Sequence, residues 1–334
     1  MDLSIIVPVY NVEKYIQACL ESIFKQGFDD DRFEVIIVND GTKDKSMEVI
    51  TDIINQHKNI TVINQDNQSL SIARNNGISI AKGEYILMAD SDDLLIYNSL
   101  SVLLDEAIKT KADLIVADFL EMNDEEIACF DQSTPKQQSF EIQEKTGEQL
   151  FLEDLNPYEC YVWRTLYRRQ FIIDNSLSFY PGIRYQDVPF THESYIKAKK
   201  CIRTHWLLNI YRKGHESATF SFDKQKAKDY CIVIGKTWEL MSIPELSPQM
   251  KRKLEDDIYT TFSLFYYSML HSVTDYKDKL EIVDYLKVNA PTIHFSGSLK
   301  KRIESFLLFY SPHLFLALRI LHWNYKKIIK VKCH

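Results

Sequence analysis

The chain has 334 residues, 45% of them hydrophobic and 12% aromatic, which is enough for one large or two modest domains with real cores. Its formal net charge of -7 excludes a general nucleic-acid-binding role for the chain as a whole. The charge is uneven: residues 300–334 hold eight lysines and arginines against one acidic residue, Glu304, a local +7 that leaves -14 on the remainder.

The chain opens directly on a strand, Leu3-Ser4-Ile5-Ile6-Val7, without the positive segment and cleavage site of a secretory signal. No apolar stretch reaches the ~20 residues that a spanning helix needs. Cys19, Cys129, Cys160, Cys201, Cys231 and Cys333 are scattered, with no CxxC pair and no Cys/His metal spacing, so they read as reduced thiols. The expected location is cytoplasmic, at most peripheral to the inner face of the cell membrane.

From residue 3 to residue 121, strand and helix patterns alternate. Strands are expected at Leu3–Tyr10, Glu34–Asn39, Ile60–Asn64, Glu84–Ala89 and Asp113–Glu121. Helices are expected at Val12–Gln26, Lys45–Gln56, Ser71–Lys82 and Tyr97–Lys109. Val12, Tyr15, Ile16, Cys19, Leu20 and Ile23 recur at three- and four-residue spacing and mark one apolar helical face. This alternation predicts an α/β fold, a Rossmann-like, mainly parallel sheet flanked by helices. Residues 122–146 are polar and contain Pro135, and read as an excursion or an edge hairpin. Residues 147–215 return to mixed structure, with a helix start near Asp187 and a strand over Cys201–Tyr211. Residues 224–290 read as helical, and residues 287–298 as a linker. The expected division is 1–220, split near residue 121, and a helical C-terminal extension, 221–334.

The strongest chemical signal is the apolar strand Tyr85–Ala89 running into Asp90-Ser91-Asp92-Asp93. Three carboxylates in four positions repel one another, and a cation or a hydroxyl-rich ligand relieves that repulsion. The ends of strands in open α/β sheets are where ligands bind, so an enzyme handling a nucleoside diphosphate leads. The plain alternative is an acidic turn capping the next helix.

Four other loops add to this. Pro8-Val9-Tyr10-Asn11 closes the first strand, where Pro8, Tyr10 and Asn11 can line a base pocket or form a simple turn. In Val38–Asp44, Asp40 can accept a hydrogen bond from a base N–H while Gly41 admits the ligand, although Asn-Asp-Gly is also a plain turn signal. Ser69 or Ser71 can cap the third helix, and Arg74 one turn in can reach a diphosphate or stand exposed. Asp187, with Pro189 in the following turn, reads as a helix cap or as a general base. Arg212, Lys213 and His215 can close over a diphosphate or complete a metal shell; the alternative is a solvated charge run.

Taken together, SIIVPVYN (Ser4–Asn11), VIIVNDGTKD (Val35–Asp44), NQSLSIARNNGISIAKGEYILMADSDD (Asn67–Asp93) and GIRYQDVPF (Gly182–Phe190) resemble glycosyltransferase family 2, the inverting enzymes of GT-A fold. The resemblance implies a nucleotide-diphospho-sugar donor, usually a UDP-sugar, with Mn2+ or Mg2+ as cofactor. It implies a nucleotide-binding half near 1–121 and an acceptor half near 122–220. It assigns Asp40 and Arg74 to the base and its surroundings, Asp90 to the ribose, and Ser91 and Arg212 to the nucleotide-sugar donor. Asp92, in a DxD arrangement, would hold the metal with Asp93 and His215 in support, and Asp187 would be the catalytic base. Three positions depart from the family pattern: Gln186 for glutamate, Thr165 for lysine and Asn39 for aspartate.

The expected activity is sugar transfer to a saccharide or lipid-linked saccharide in polysaccharide synthesis. Two alternatives are an inactive sugar-nucleotide-binding scaffold, supported by Gln186 and Thr165, and a nucleotidyltransferase, against which PVYNVEKY lacks a Gly-rich basic loop. Residues 299–332 mix Phe306–Tyr310, Leu314–Leu318 and Trp323 with basic residues, which suits a membrane interface. The alternative there is a helical hairpin packed on the body or on a second subunit of a homodimer.

Overall fold

A computed structural model describes residues 1–131, 140–214 and 223–321. The chain divides into two compact units, Met1–Gly182 with Phe190–Glu216 and Ile183–Pro189 with Ser217–His334.

In the first unit the elements are, in chain order, β1 (Leu3–Val9), α1 (Ile16–Ile23), β2 (Phe33–Asn39), α2 (Ser46–Val49), α3 (Thr51–Gln56), β3 (Ile60–Asn64), α4 (Leu70–Ile80) and β4 (Tyr85–Met88). They continue with β5 (Leu94–Leu95), α5 (Ser99–Thr110), β6 (Leu114–Met122), α6 (Asp124–Cys129), β7 (Ile142–Lys145), α7 (Gly147–Glu153), β8 (Thr165–Arg168), α8 (Arg169–Asp174), α9 (Asp187–Lys197) and β9 (Cys201–Arg212). Helix α9 begins in the short segment that belongs to the second unit.

Among the described residues the sheet runs β3-β2-β1-β4-β8-β6-β9-β5, with β7 also paired to β9. β1 pairs in parallel with β2 and β4, and β2 with β3. Beyond β4 the sheet turns mixed: β8 is antiparallel to β4 and β6, while β6 and β9 run parallel. β1 is buried along its whole length because both of its faces are covered. Leu3, Ile5, Val7 and Val9 join Ile16, Cys19, Leu20 and Ile23 of α1 in the main core. Ile6, one residue out of phase, meets α4 on the other face, where a Cβ on Gly77 would lie 2.4 Å from its Cγ2.

Parallel pairing puts the carboxyl ends of β1, β2, β3 and β4 on one edge. At the opposite edge a buried polar knot fixes the entry to β4. Ser4 Oγ donates to Glu34 Oε1 at 2.6 Å and accepts from Gly83 N at 2.8 Å, while Lys82 N donates to the same Glu34 oxygen at 2.7 Å. A Cβ on Gly83 would sit 2.4 Å from both Leu3 C and Ser4 N, so neither side can give way cheaply. Gly83→Ala is therefore expected to cost about 1–3 kcal/mol, read as a lower urea midpoint at unchanged slope.

Several elements differ from the sequence expectations for identifiable reasons. α1 starts four residues late, and the segment before it is tied to the next loop: Asn11, Val12 and Glu13 give their backbone N–H groups to Thr42 Oγ1, Ser46 Oγ and Asp44 Oδ2. The helix expected over Lys45–Gln56 is broken at Ile50, whose side chain is fully buried in the core. The polar stretch after residue 122 contains α6, which carries an Asn123/Glu126 capping box, and β7 on the sheet edge. β5 was not expected from the sequence.

The second unit holds α10 (Lys224–Glu239), α11 (Pro248–Ser272), α12 (Tyr276–Asn289) and α13 (Leu299–Tyr310), followed by a further helical stretch at 312–321. Phe262, Phe265, Phe295 and Phe315 form its buried aromatic centre. Segment 183–189 is anchored on α10: Arg184 Nε pairs with Asp229 Oδ2 at 3.1 Å, and the Tyr185 ring stacks on Tyr230 at 4.3 Å.

Candidate active site

The loops at the carboxyl edge of the parallel strands are tied to one another through side chains. Asn11, in the left-handed region at φ +55°, accepts from Lys43 N at 3.3 Å and anchors the first loop to the second. Asp44 accepts from Thr42 Oγ1 at 2.7 Å, Ser46 Oγ at 2.6 Å and Glu13 N at 2.9 Å. Burial raises its pKa, but these bonds outweigh burial and hold the carboxyl at about 2. A depressed folded pKa stabilises the fold above the unfolded value near 3.9, and the effect is lost as pH falls through about 2. The wild type should therefore melt above Asp44→Asn near neutral pH, with the gap closing during acid titration to about pH 2.

Asp40 is only 4% exposed, and both of its oxygens are engaged. Oδ1 accepts from Gln65 Nε2 at 2.7 Å and Gln68 N at 2.8 Å, and Oδ2 accepts from Ser69 N at 3.1 Å. Asp40 thus supplies acceptors at the start of α4. Ser69 stands at the N-cap without a side-chain cap bond: it has φ +95°, and its Oγ accepts from Gly182 N at 3.2 Å. Gly41 is required here, since it has φ +68° and a Cβ would lie 2.9 Å from Asn67 N. A carboxylate carries about four lone-pair sites, so Asp40 keeps acceptor capacity for a ligand N–H. Asn39, where the family often has aspartate, donates to Asn64 Oδ1 at 2.9 Å and accepts from Thr42 N at 3.0 Å. An aspartate could not make the first of these bonds.

Asp90, Ser91, Asp92 and Asp93 leave the end of β4 and are held by two arginines. Arg74 is not an exposed helix residue: it is 2% exposed, and its Nη2 lies 2.5 Å from Asp90 Oδ1. Its guanidinium sits over the Phe179 ring at 5.2 Å. Burial nevertheless raises the Asp90 carboxyl, Arg74 pulls it down and Asp92 pushes it up. Arg212, at the end of β9, donates Nε to the Asp92 carbonyl at 2.8 Å and its backbone N–H to Asp93 Oδ1 at 2.8 Å. Its head also pairs with Asp124 and lies over the Tyr15 ring. Asp93 is 3% exposed and does not cap the next helix, because β5 intervenes. Its Oδ2 is buried with no hydrogen-bond partner, and burial followed by repulsion from Asp92 and Asp90 raises its carboxyl well above the usual range. Ser91 is buried and Asp92 half-buried.

Among the described residues, no group of three or more His, Cys, Asp or Glu side chains converges to cage a metal ion. The residues instead fit a hard divalent cation held by one or two carboxylates, with a substrate diphosphate completing the shell. The orphaned Asp93 oxygen and the mutual repulsion of the three carboxylates are the observations in favour of that fit. His215 lies outside the described residues.

Pro8 is buried at the end of β1, and Tyr10 just beyond it is 42% exposed. In the second unit, Asp187 is the first residue of α9 rather than the residue before it. Tyr185, two positions earlier, has φ +59°, and Gln186 is buried. Thr165, at the start of β8, is 1% exposed, a site where an unpaired lysine would be costly.

Two clusters escaped the sequence reading. Asp118 accepts from Arg164 at 2.8 Å and from Arg203 at 2.5 Å, with His205 Nδ1 at 2.8 Å. Phe119, Tyr161, Trp163 and Tyr211 form an aromatic group, with Tyr161 on Trp163 at 4.9 Å and Trp163 on Tyr211 at 5.6 Å. Burial, then the nearby Asp93, Asp92 and Asp90, raises the Tyr211 hydroxyl, so this group adjoins the carboxylates. The only sequence signal was the aromatic run Tyr161-Val162-Trp163.

The mainly parallel sheet, with its acidic loop at the end of β4 held by arginines from α4 and β9, is a transferase domain of GT-A fold. Residues 4–174, just over half of the chain, match Glycosyl transferase family 2, and the chain belongs to that family. Membership sets it apart from the nucleotidyltransferases. The chain is 35% identical over 218 residues to the uncharacterized glycosyltransferase EpsJ of Bacillus subtilis, a match covering 65% of this chain and 62% of EpsJ. It therefore spans less than two thirds of that relative's length. Its fold matches TarS of S. aureus, solved in complex with UDP, with a TM-score of 0.69 at 20% identity over 86% of this chain and 80% of that one. It also matches the mannosyltransferase PcManGT of Pyrobaculum calidifontis, solved with GDP-Man and Mn2+, at TM-score 0.53 and 12% identity over 96% and 86% of the two chains.

Proposed function

We propose that this chain transfers a sugar, with inversion, from a UDP-sugar to a hydroxyl of a saccharide or lipid-linked saccharide during surface polysaccharide or teichoic-acid assembly. The observation that carries the proposal is the Asp90–Asp93 loop, held by Arg74 and Arg212 at the carboxyl edge of the parallel strands of a family 2 domain. Support for a nucleotide-sugar donor comes from TarS, solved with UDP and with UDP-GlcNAc. PcManGT, solved with GDP-Man, has the same fold, so the choice of uridine rests on loop residues. A 47% identical stretch of 68 residues in the teichoic acid poly(glycerol phosphate) polymerase of Staphylococcus epidermidis supports the wall-polymer setting.

In this reading Pro8, Tyr10 and Asn11 border the base, and Asp40 accepts its N–H while keeping the 65–69 loop in place. Asp90 and Ser91 face the ribose, with Arg74 paired to Asp90. Asp92 would hold the divalent ion, with Asp93 in support. Arg212 keeps the loop closed and adds positive charge beside the diphosphate. A bound Mn2+ or Mg2+ would supply Lewis-acid neutralisation of the diphosphate. Asp187 takes the proton from the acceptor hydroxyl as its oxygen attacks the anomeric carbon on the face opposite the UDP. The glycosidic C–O bond to the diphosphate breaks, and its electron pair leaves with UDP.

The test is release of nucleotide from a panel of UDP-, GDP- and dTDP-sugars with Mn2+, Mg2+ or EDTA. Metal-dependent release from a UDP-sugar is the expected result. Absence of both release and calorimetric binding across the panel would overturn the proposal.

A further inference from the structure

The last two helices among the described residues each turn an apolar stripe outward. In α13, Leu299, Ile303, Phe306 and Tyr310 recur every three or four residues on one face, and all are exposed, Phe306 by 59% and Tyr310 by 77%. The opposite face, with Glu304, Ser305 and Leu308, is buried. In the helical stretch 312–321, Leu314, Leu318 and Leu321 are exposed while Phe315, Leu316 and Arg319 are buried. A surface helix normally hides its apolar stripe and shows its charges. Here an ion pair between Arg319 and Glu304 is buried, and leucines face out. The two helices also border a groove of about 490 Å³ lined by Ile303, Leu307 and Leu318, with Lys300 alongside. Apolar surface of this extent marks an interaction site.

Charge selects the occupant. Residues 300–334 carry +7, and Lys300 and Arg302 are exposed beside the apolar face. Pairing this face with its own copy would bring Lys300 and Arg302 toward the same residues of the copy. An anionic lipid surface attracts the same charge by roughly 1 kcal/mol per basic residue. Leucine and phenylalanine then enter the acyl boundary, with Tyr310 at headgroup level. No helix among the described residues is long and apolar enough to cross a membrane, so the contact lies in the plane of the surface.

We propose that α13 and the 312–321 helix dock on an anionic bilayer through Leu299, Ile303, Phe306, Tyr310, Leu314 and Leu318. The proposal is independent of donor chemistry. The test is flotation of the full chain with vesicles of phosphatidylcholine alone, or mixed with phosphatidylglycerol at about two to one. Binding is expected to the mixed vesicles only, and to weaken as salt rises from about 0.1 to 0.5 M. The double variant Phe306→Glu/Leu318→Glu is expected to bind at least about tenfold more weakly, with unchanged circular dichroism and donor turnover. Lys300→Glu/Arg302→Glu should likewise bind less, and it separates lost attraction from lost folding. Failure of the wild type to bind the mixed vesicles, or equal binding by both double variants, would overturn the proposal. So would light scattering that shows a dimer dissolved by Phe306→Glu/Leu318→Glu in a chain that ignores lipid.

Discussion

Asp187→Asn is expected to lower sugar transfer by about 10²- to 10⁴-fold while leaving donor affinity unchanged. Asparagine keeps the shape and the hydrogen-bonding reach of the side chain but cannot take a proton. The substitution is mild for the fold, because residue 187 is half-buried at the first position of α9 and asparagine is tolerated at helix starts. Nearby groups hold the segment without its help: Arg184 pairs with Asp229, Tyr185 stacks on Tyr230, and Gln186 is buried. Steady-state turnover together with calorimetric donor binding is the measurement. Unchanged turnover would remove Asp187 from the role of base. A wild type that binds donor but never turns it over would be the scaffold that Gln186 and Thr165 suggested.

Asp92→Asn is expected to remove metal stimulation and to reduce turnover by about 10²- to 10³-fold. The three carboxylates have different surroundings, and so different consequences. Asp90 is paired with Arg74, and Asp93 is buried and holds the backbone N–H of Arg212. Asp92 is half-buried, and it is its backbone carbonyl that Arg212 Nε uses. Removal of its charge should be felt by a divalent ion, and it also relieves the repulsion of Asp90 and Asp93. Asp93→Ala, in contrast, should lower the melting temperature, because the Arg212 N–H loses its buried acceptor. Titrating Mn2+ against nucleotide release for both variants, beside thermal melts, separates the two roles. A full metal response in Asp92→Asn would reassign the ligand.

The local signals belonged to the sequence. Strand and helix periods, turn chemistry and the placement of carboxylates after an apolar run need only neighbours within a few residues. These identified β1 to β4, the acidic loop, the basic tail and the family resemblance. β3 has the expected bounds, Ile60–Asn64, because a short apolar run between a helix end and a polar loop leaves little freedom. Helix ends were less legible: α1 begins at Ile16, and the bonds that tie residues 12 and 13 to the loop at 44–46 are not written in residues 12–15.

The partners of the buried charges were decided by tertiary structure alone. Arg212 lies 120 residues from Asp92, and only the approach of β9 to β5 makes it the clamp of the acidic loop. Arg74 read either as a diphosphate contact or as an exposed helix residue, and only the fold pairs it with Asp90, where removing one partner would leave a buried charge uncompensated. Asp40 read as a ligand contact, yet its carboxylate first satisfies three donors around the next loop. The tail shows the same division from the other side. Its composition announced an amphipathic segment, but which residues face outward depends on which face packs on Phe262 and Phe295. That packing buries Glu304 and Arg319 and leaves Phe306, Tyr310 and Leu318 exposed.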